Sequence, residues 1–275
     1  MNQRERQPFR ARVSRHEVAL YLVLAYAISW SIWPLVLLNP ESSPLVPFGP
    51  GLAAVLVAFM AGGRRELMEL LRQLGRWRVN AGWYGIALGL PLAITAAALG
   101  AAAATAGAQV PSWDPSDVLQ VAGTLLVTVV IVGLFEELGW RGFLLPRLQR
   151  ERDALWAALL VGLAWLPWHL PELVSDPSQR PLAQFVIYVL AQSVLLAWLY
   201  NSTQASLPIV ILFHAAFNSF AKFFLSELDG SAKTVAWWTL AGLTALVAVA
   251  VVRYAGARSL VRRDTGAAAH SGKAR

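Results

Sequence analysis

The stretch "FEELGWRGFLLP", from Phe135 to Pro146, sets Glu136, Glu137 and Arg141 at the end of a run, "VAGTLLVTVVIVGL", that otherwise reads as membrane. An ionisable side chain at membrane depth costs at least ~2.5–3.5 kcal/mol on insertion scales, so polar residues within such runs call for a chemical reason. The set is short. It holds these three charges, His169 in "WLPWHLP", and His214 and Asn218 in "FHAAFNSF", with Gln120 and Gln192 as lesser members. The six aspartates, at 114, 117, 153, 176, 229 and 264, all fall in predicted loops or at span edges, which argues against a membrane-embedded aspartyl pair.

The spacings suggest roles. Glu137 and Arg141 are four apart on a helix with the acid N-terminal, the favourable order for an ion pair, while Glu136 points about 100° away. Glu137 is therefore expected to be neutralised by Arg141, leaving Glu136 for another neighbour. His214 and Asn218, also four apart, share one helix face. His169 lies between Pro167 and Pro171, where freed backbone carbonyls and a kink make a polar pocket. Together these groups supply the parts for peptide hydrolysis by activated water. A carboxylate takes a proton from water, a histidine shares that water, and a second histidine with an asparagine amide donates to the developing oxyanion. Glu136, His169 and His214 also make a His₂Glu set suited to zinc with an open position for water. The residues alone leave both open. No HExxH and no GxSxG pattern occurs.

The elements that must position these groups are membrane spans. Hydrophobic residues make up 57% of the 275-residue chain and charged residues 14%, with a mean hydropathy of +0.52. The fold class is all-α, a polytopic membrane helix bundle with a membrane-embedded polar site. Eight runs can cross a roughly 30 Å core, near 17–38, 46–62, 82–106, 121–145, 154–171, 182–200, 206–225 and 235–252. The second and fifth are short. A net charge of +7 resides mainly in short segments between spans, a pattern that orients helices rather than one that binds nucleic acid. It places both termini in the cytoplasm of a multi-pass protein of the cell membrane. The expected layout is a basic cytoplasmic N-terminus over 1–16, one transmembrane domain over 17–252 and a basic, disordered tail over 253–275. Leucines 67, 70, 71 and 74 among charges suggest a helix lying in the cytoplasmic interface between Arg64 and Arg78. Gly85 and Gly89 form a GxxxG pattern that permits close helix packing. The absence of cysteine removes thiolate ligands and a cysteine nucleophile.

Three of these motifs, in this order and on separate helices, resemble the CPBP intramembrane proteases, which include the CAAX prenyl endopeptidases and bacteriocin-processing and immunity-associated proteins. "EELGWR" fits EExxxR, "WLPWH" fits FxxxH with Trp165 in place of phenylalanine, and "HAAFN" fits HxxxN. The resemblance covers roughly Val118 to Phe224. It implies Glu136 as general base with His169 beside the water, Glu137 and Arg141 in support, and His214 and Asn218 as oxyanion donors. Trp165 keeps the aromatic ring of the motif and changes the shape of the pocket. The family is commonly labelled a metalloprotease, while a metal-free glutamate mechanism has also been argued for it; the expectation here is metal-free, with zinc as the alternative and no other cofactor. The implied partners are the lipid bilayer and a membrane-associated protein or peptide, prenylated or not, and a cavity open to the cytoplasmic leaflet would suit it. The rivals are a non-catalytic membrane partner or immunity protein keeping the fold, and a proton-coupled transporter. The latter would need paired broken helices in two related halves, which the sequence does not display. Bringing Glu136 to His169 requires the fourth helix to continue through "RGFLLPRL" to about Arg147.

Overall fold

A computed structural model describes residues 16–36, 45–110, 114–175 and 181–261 of the chain. The predicted cytoplasmic N-terminus, apart from residue 16, and the tail beyond 261 lie outside the described residues. Every regular element among them is helical.

Eight apolar helices follow the predicted runs. They are α1 (Glu17–Trp30), α2 (Gly49–Gly62), α4 (Ala81–Ala106), α5 (Pro115–Leu148), α6 (Ala154–Trp168), α7 (Leu182–Ser202), α8 (Leu207–Leu225) and α9 (Gly230–Ala255). Five of them, α4, α5, α7, α8 and α9, are long and apolar enough to cross a membrane, whereas α1, α2 and α6 are shorter apolar helices. The chain is an integral, multi-pass membrane protein. The amphipathic segment after α2 forms helix α3 (Arg64–Arg72) and a 3₁₀ turn over Gln73–Gly75. Gly63, at φ 69°, makes the sharp bend between α2 and α3 that a side chain would resist.

Local chemistry sets the start of α5. Asp114 accepts a hydrogen bond from the Ser116 backbone N–H at 2.8 Å, Asp117 accepts one from the Asp114 N–H at 2.9 Å, and Pro115 opens the helix. This capping box satisfies donors that the first turn cannot pair. From there α5 has two characters. Nothing in Pro115–Thr128 is buried, so its leucines and valines face lipid. From Glu136 to Leu145 every residue is buried, as the helix dives among its neighbours. Two π-helical stretches, Val129–Gly133 and Leu138–Leu144, flank the glutamates. Wider turns of this kind re-aim side chains and often accompany functional sites. Within the second of them, the Gly142 carbonyl accepts from Gln73 Nε2 at 3.1 Å, and Gln73 is held in turn by the Tyr200 hydroxyl at 2.7 Å. The interfacial segment is thus pinned to the bundle through Gln73 and the buried Leu70.

The core forms where α8 packs against α4 and α5, α9 against α4 and α7, and α6 against α7. In its most apolar window α8 is 67% buried, against 6% for α5, which makes α8 the central post. Close packing between α2 and α5 depends on Gly139, not on the predicted GxxxG pair. A Cβ at Gly139 would stand 2.5 Å from the Pro50 backbone carbon, whereas Gly85 and Gly89 have open space where a Cβ would go. The close packing that 85 and 89 would permit is not used: among the described residues no other helix comes within contact of a side chain there. Because backbone atoms cannot rotate aside, Gly139→Ala should lower stability by about 1–3 kcal/mol. In detergent its thermal midpoint should fall clearly below that of Gly85→Ala, which should match wild type.

Candidate active site

Glu136, Glu137 and Arg141 are 4%, 0% and 1% exposed, so all three charges of the "EELGWR" motif are carried inside the bundle. The continuation of α5 to Leu148 places Glu136 roughly 18 Å from that helix end at 1.5 Å per residue. Arg141 donates from Nη1 to Glu137 Oε1 at 2.8 Å, the predicted i,i+4 pair. The same oxygen lies 2.7 Å from His214 Nδ1 on α8. Arg141 also stacks over the Trp165 ring, its guanidinium carbon 4.5 Å from the centroid. A carboxylate between a guanidinium and an imidazole is a charge arrangement that tolerates burial because each partner neutralises another.

Glu136 meets a different element. Its Oε2 accepts from the Trp165 indole N–H on α6 at 3.0 Å. One turn on, His169 Nδ1 lies 2.9 Å from the Trp165 carbonyl oxygen, with ring centroids 5.5 Å apart. A carbonyl only accepts, so the proton of a neutral His169 sits on Nδ1 and Nε2 keeps its lone pair. His169 stands where it does because α6 ends there. Pro171 lacks an N–H and cannot prolong the helix, and a separate short helix, Leu170–Ser175, follows. The predicted kink between the two prolines is thus a helix end. Its last-turn carbonyls are taken by α1: Trp30 Nε1 donates to Trp168 at 3.0 Å, and the Tyr26 hydroxyl donates to Ala164.

All these groups converge on one cavity of about 630 Å³, lined by Glu136, Trp165, His169, His214 and Asn218 among others. The sequence-predicted residues on α5, α6 and α8 are therefore brought together, with Glu137 and Arg141 directly behind His214 and Trp165. The structure adds a role that escaped sequence reasoning, and it gives a definite place to one lesser member of the polar set. Trp165 is a hydrogen-bond donor to Glu136 and not only an aromatic wall, a role visible from sequence only in that tryptophan, unlike phenylalanine, carries an N–H. Gln192 on α7 is 1% exposed on the cavity wall, and neither amide atom has a hydrogen-bond partner among the described residues.

Zinc matches the donor types of this site but not their placement. The donor types suit it, and histidines held through Nδ1 by a carbonyl and a carboxylate follow a pattern common behind metal ligands. Yet no group of three His, Cys, Asp or Glu side chains among the described residues is placed to hold an ion. Glu136, His169 and His214 share the cavity without forming that cluster.

Replacing Trp165 with phenylalanine keeps the ring and removes the donor, leaving a buried carboxylate oxygen without its partner. A lost hydrogen bond of about 1 kcal/mol corresponds to roughly fivefold. Steady-state kinetics of Trp165→Phe should show that loss in kcat with KM nearly unchanged; an unaltered kcat would show that the indole N–H does not position Glu136.

The fold and cavity define a class: a helical membrane protein whose carboxylate, histidine and asparagine side chains meet in a cavity between its spans. Residues 118–220 match the model of the type II CAAX prenyl endopeptidase Rce1-like family. A curated protein of Methanococcus maripaludis, CAAX prenyl protease 2, is 27% identical over 103 residues, or 34% of this chain and 38% of that protein's length. Over that segment the chain is similar to the CAAX proteases, and it spans well under half the length of the relative it matches.

Proposed function

We propose that this protein is an intramembrane endopeptidase that hydrolyses a peptide bond of a membrane-associated substrate with water activated by Glu136 and His169. The observation that carries the reading is the bridge made by Trp165, whose indole holds Glu136 and whose carbonyl holds His169 on one wall of the cavity. Water lying between the two gives a proton to Glu136 while His169 Nε2 accepts its second hydrogen bond. The hydroxide oxygen bonds to the scissile carbonyl carbon and the carbonyl electrons move onto oxygen. Asn218 donates its amide to that oxyanion, and His214 donates from Nε2. As a donor there, His214 carries protons on both nitrogens, with Glu137 as counter-charge at Nδ1. The proton on Glu136 then passes to the departing nitrogen as the C–N bond breaks. Gln192, with a donor and an acceptor buried in the wall, is suited to pair with the substrate's peptide backbone.

The substrate reading follows the name of the matched relative: a membrane-held peptide of CAAX type is the first to test. Purified protein in vesicles, dialysed against chelator, should cleave prenylated or unprenylated CAAX-type peptides, with products identified by mass spectrometry. Activity lost to chelation and restored by zinc alone would overturn water activation by side chains only.

A further inference from the structure

The two ends of the bundle differ sharply in charge, and the cavity opens at one of them. At the first end, side chains from distant parts of the chain tie together. Arg147 pairs with Glu17 and Glu66, Arg76 Nη1 donates to the Gln204 carbonyl, Asn201 donates to the Ser259 carbonyl, and the Ala154 N–H donates to the Arg258 carbonyl. The starts of α1, α6 and α8, the ends of α5, α7 and α9, and helix α3 therefore share this end. It carries the arginines of the 64–78 segment, of the 147–152 turn and of 253–258, and the sequence adds five more before α1.

The opposite end holds the starts of α5, α7 and α9 and the ends of α6 and α8. Its described charges are the acids Asp114, Asp117, Glu172, Glu227 and Asp229, with Lys222 and Lys233 as the basic side chains. The cavity runs from the buried Glu136, Trp165 and His214 to Glu172, Lys233 and the exposed Lys222 and Ser226 of this second end. No residue of the arginine-rich end lines it. Arginine-rich ends are retained in the cytoplasm.

We infer that the cavity opens on the extracytoplasmic face, so that the peptide it takes is presented from outside, at the outer leaflet, as a segment of an exported or membrane-anchored protein; a CAAX-type peptide then serves as a test substrate and not as the native one. This reverses the cytoplasmic-leaflet opening that the sequence suggested. Calling the occupant a substrate rests on the hydrolytic reading; the sidedness does not. Nearly neutral loops also explain why such a site would sit beyond the midplane from the arginines, since a cationic rim at the mouth would be held on the wrong side.

The absence of cysteine from the chain makes the test direct. Single-cysteine variants Ala221→Cys in the cavity wall, Ser226→Cys at its mouth and Glu151→Cys at the arginine end are expressed in a bacterial inner membrane. They are treated with a charged, membrane-impermeant methanethiosulfonate before or after lysis. The expected result is loss of free thiol at 221 and 226 in intact spheroplasts, and at 151 only after lysis. Protection of 221 and 226 until lysis, or reaction of 151 from outside, would overturn the inference. Labelling uses no turnover, so a protein that proves non-hydrolytic still returns an answer on sidedness.

Discussion

Glu136→Gln is expected to lower kcat by roughly 10²–10⁴-fold, the range general-base catalysis contributes, while leaving the thermal midpoint close to wild type. The amide is isosteric and its carbonyl oxygen can still accept from Trp165 Nε1, now at 3.0 Å from Glu136 Oε2. What it cannot do is hold a proton taken from water. The neighbouring Glu137 does not substitute, because it is not part of the cavity lining and sits behind it with Oε1 held by both Arg141 and His214. The check is a kinetic comparison of the two proteins at matched folded fraction. A Glu136→Gln protein retaining more than a tenth of wild-type kcat would remove Glu136 from the role of base.

The second large effect is on stability. Glu137→Leu strands the Arg141 guanidinium, and Arg141→Met strands the Glu137 carboxylate, each almost wholly buried. Breaking one side of a buried pair costs roughly 3–5 kcal/mol, since the remaining charge loses its compensation, whereas removing both with apolar residues of similar volume is far milder. The double variant should therefore be more stable than either single one, and thermal unfolding in detergent across the four proteins measures the coupling. Its activity should nevertheless stay low, because His214 Nδ1 loses the carboxylate that orients it. A double variant as unstable as the sum of the singles would mean that the pair is not an energetic unit.

Much of this architecture was legible in the sequence because hydrophobic run length and charge placement are directly written in it. The eight helices follow the runs, and the extension of α5 past Arg141 follows from the need to bring Glu136 to the depth of His169. The Glu137–Arg141 pair follows from spacing within one helix. What lay hidden depends on relations between helices or on backbone register. The π-helical stretches around the glutamates leave no mark in side-chain periodicity. The Glu137–His214 contact joins residues 77 apart in sequence. It shows that His214 has a carboxylate behind it as well as a cavity before it. The GxxxG pattern failed for the opposite reason: it describes a surface that permits close approach without saying whether another helix is there, and at Gly85 and Gly89 none is.

The measurement that bears most directly on the central claim needs no prior choice of substrate. Native membranes are incubated with purified wild-type protein or with Glu136→Gln, each shown to be folded, and new peptide termini are mapped by mass spectrometry. Termini that arise only with wild type are the predicted result and would identify the cleaved class. Identical termini from the two proteins would contradict hydrolysis at this site and favour a membrane partner that keeps the fold without the reaction.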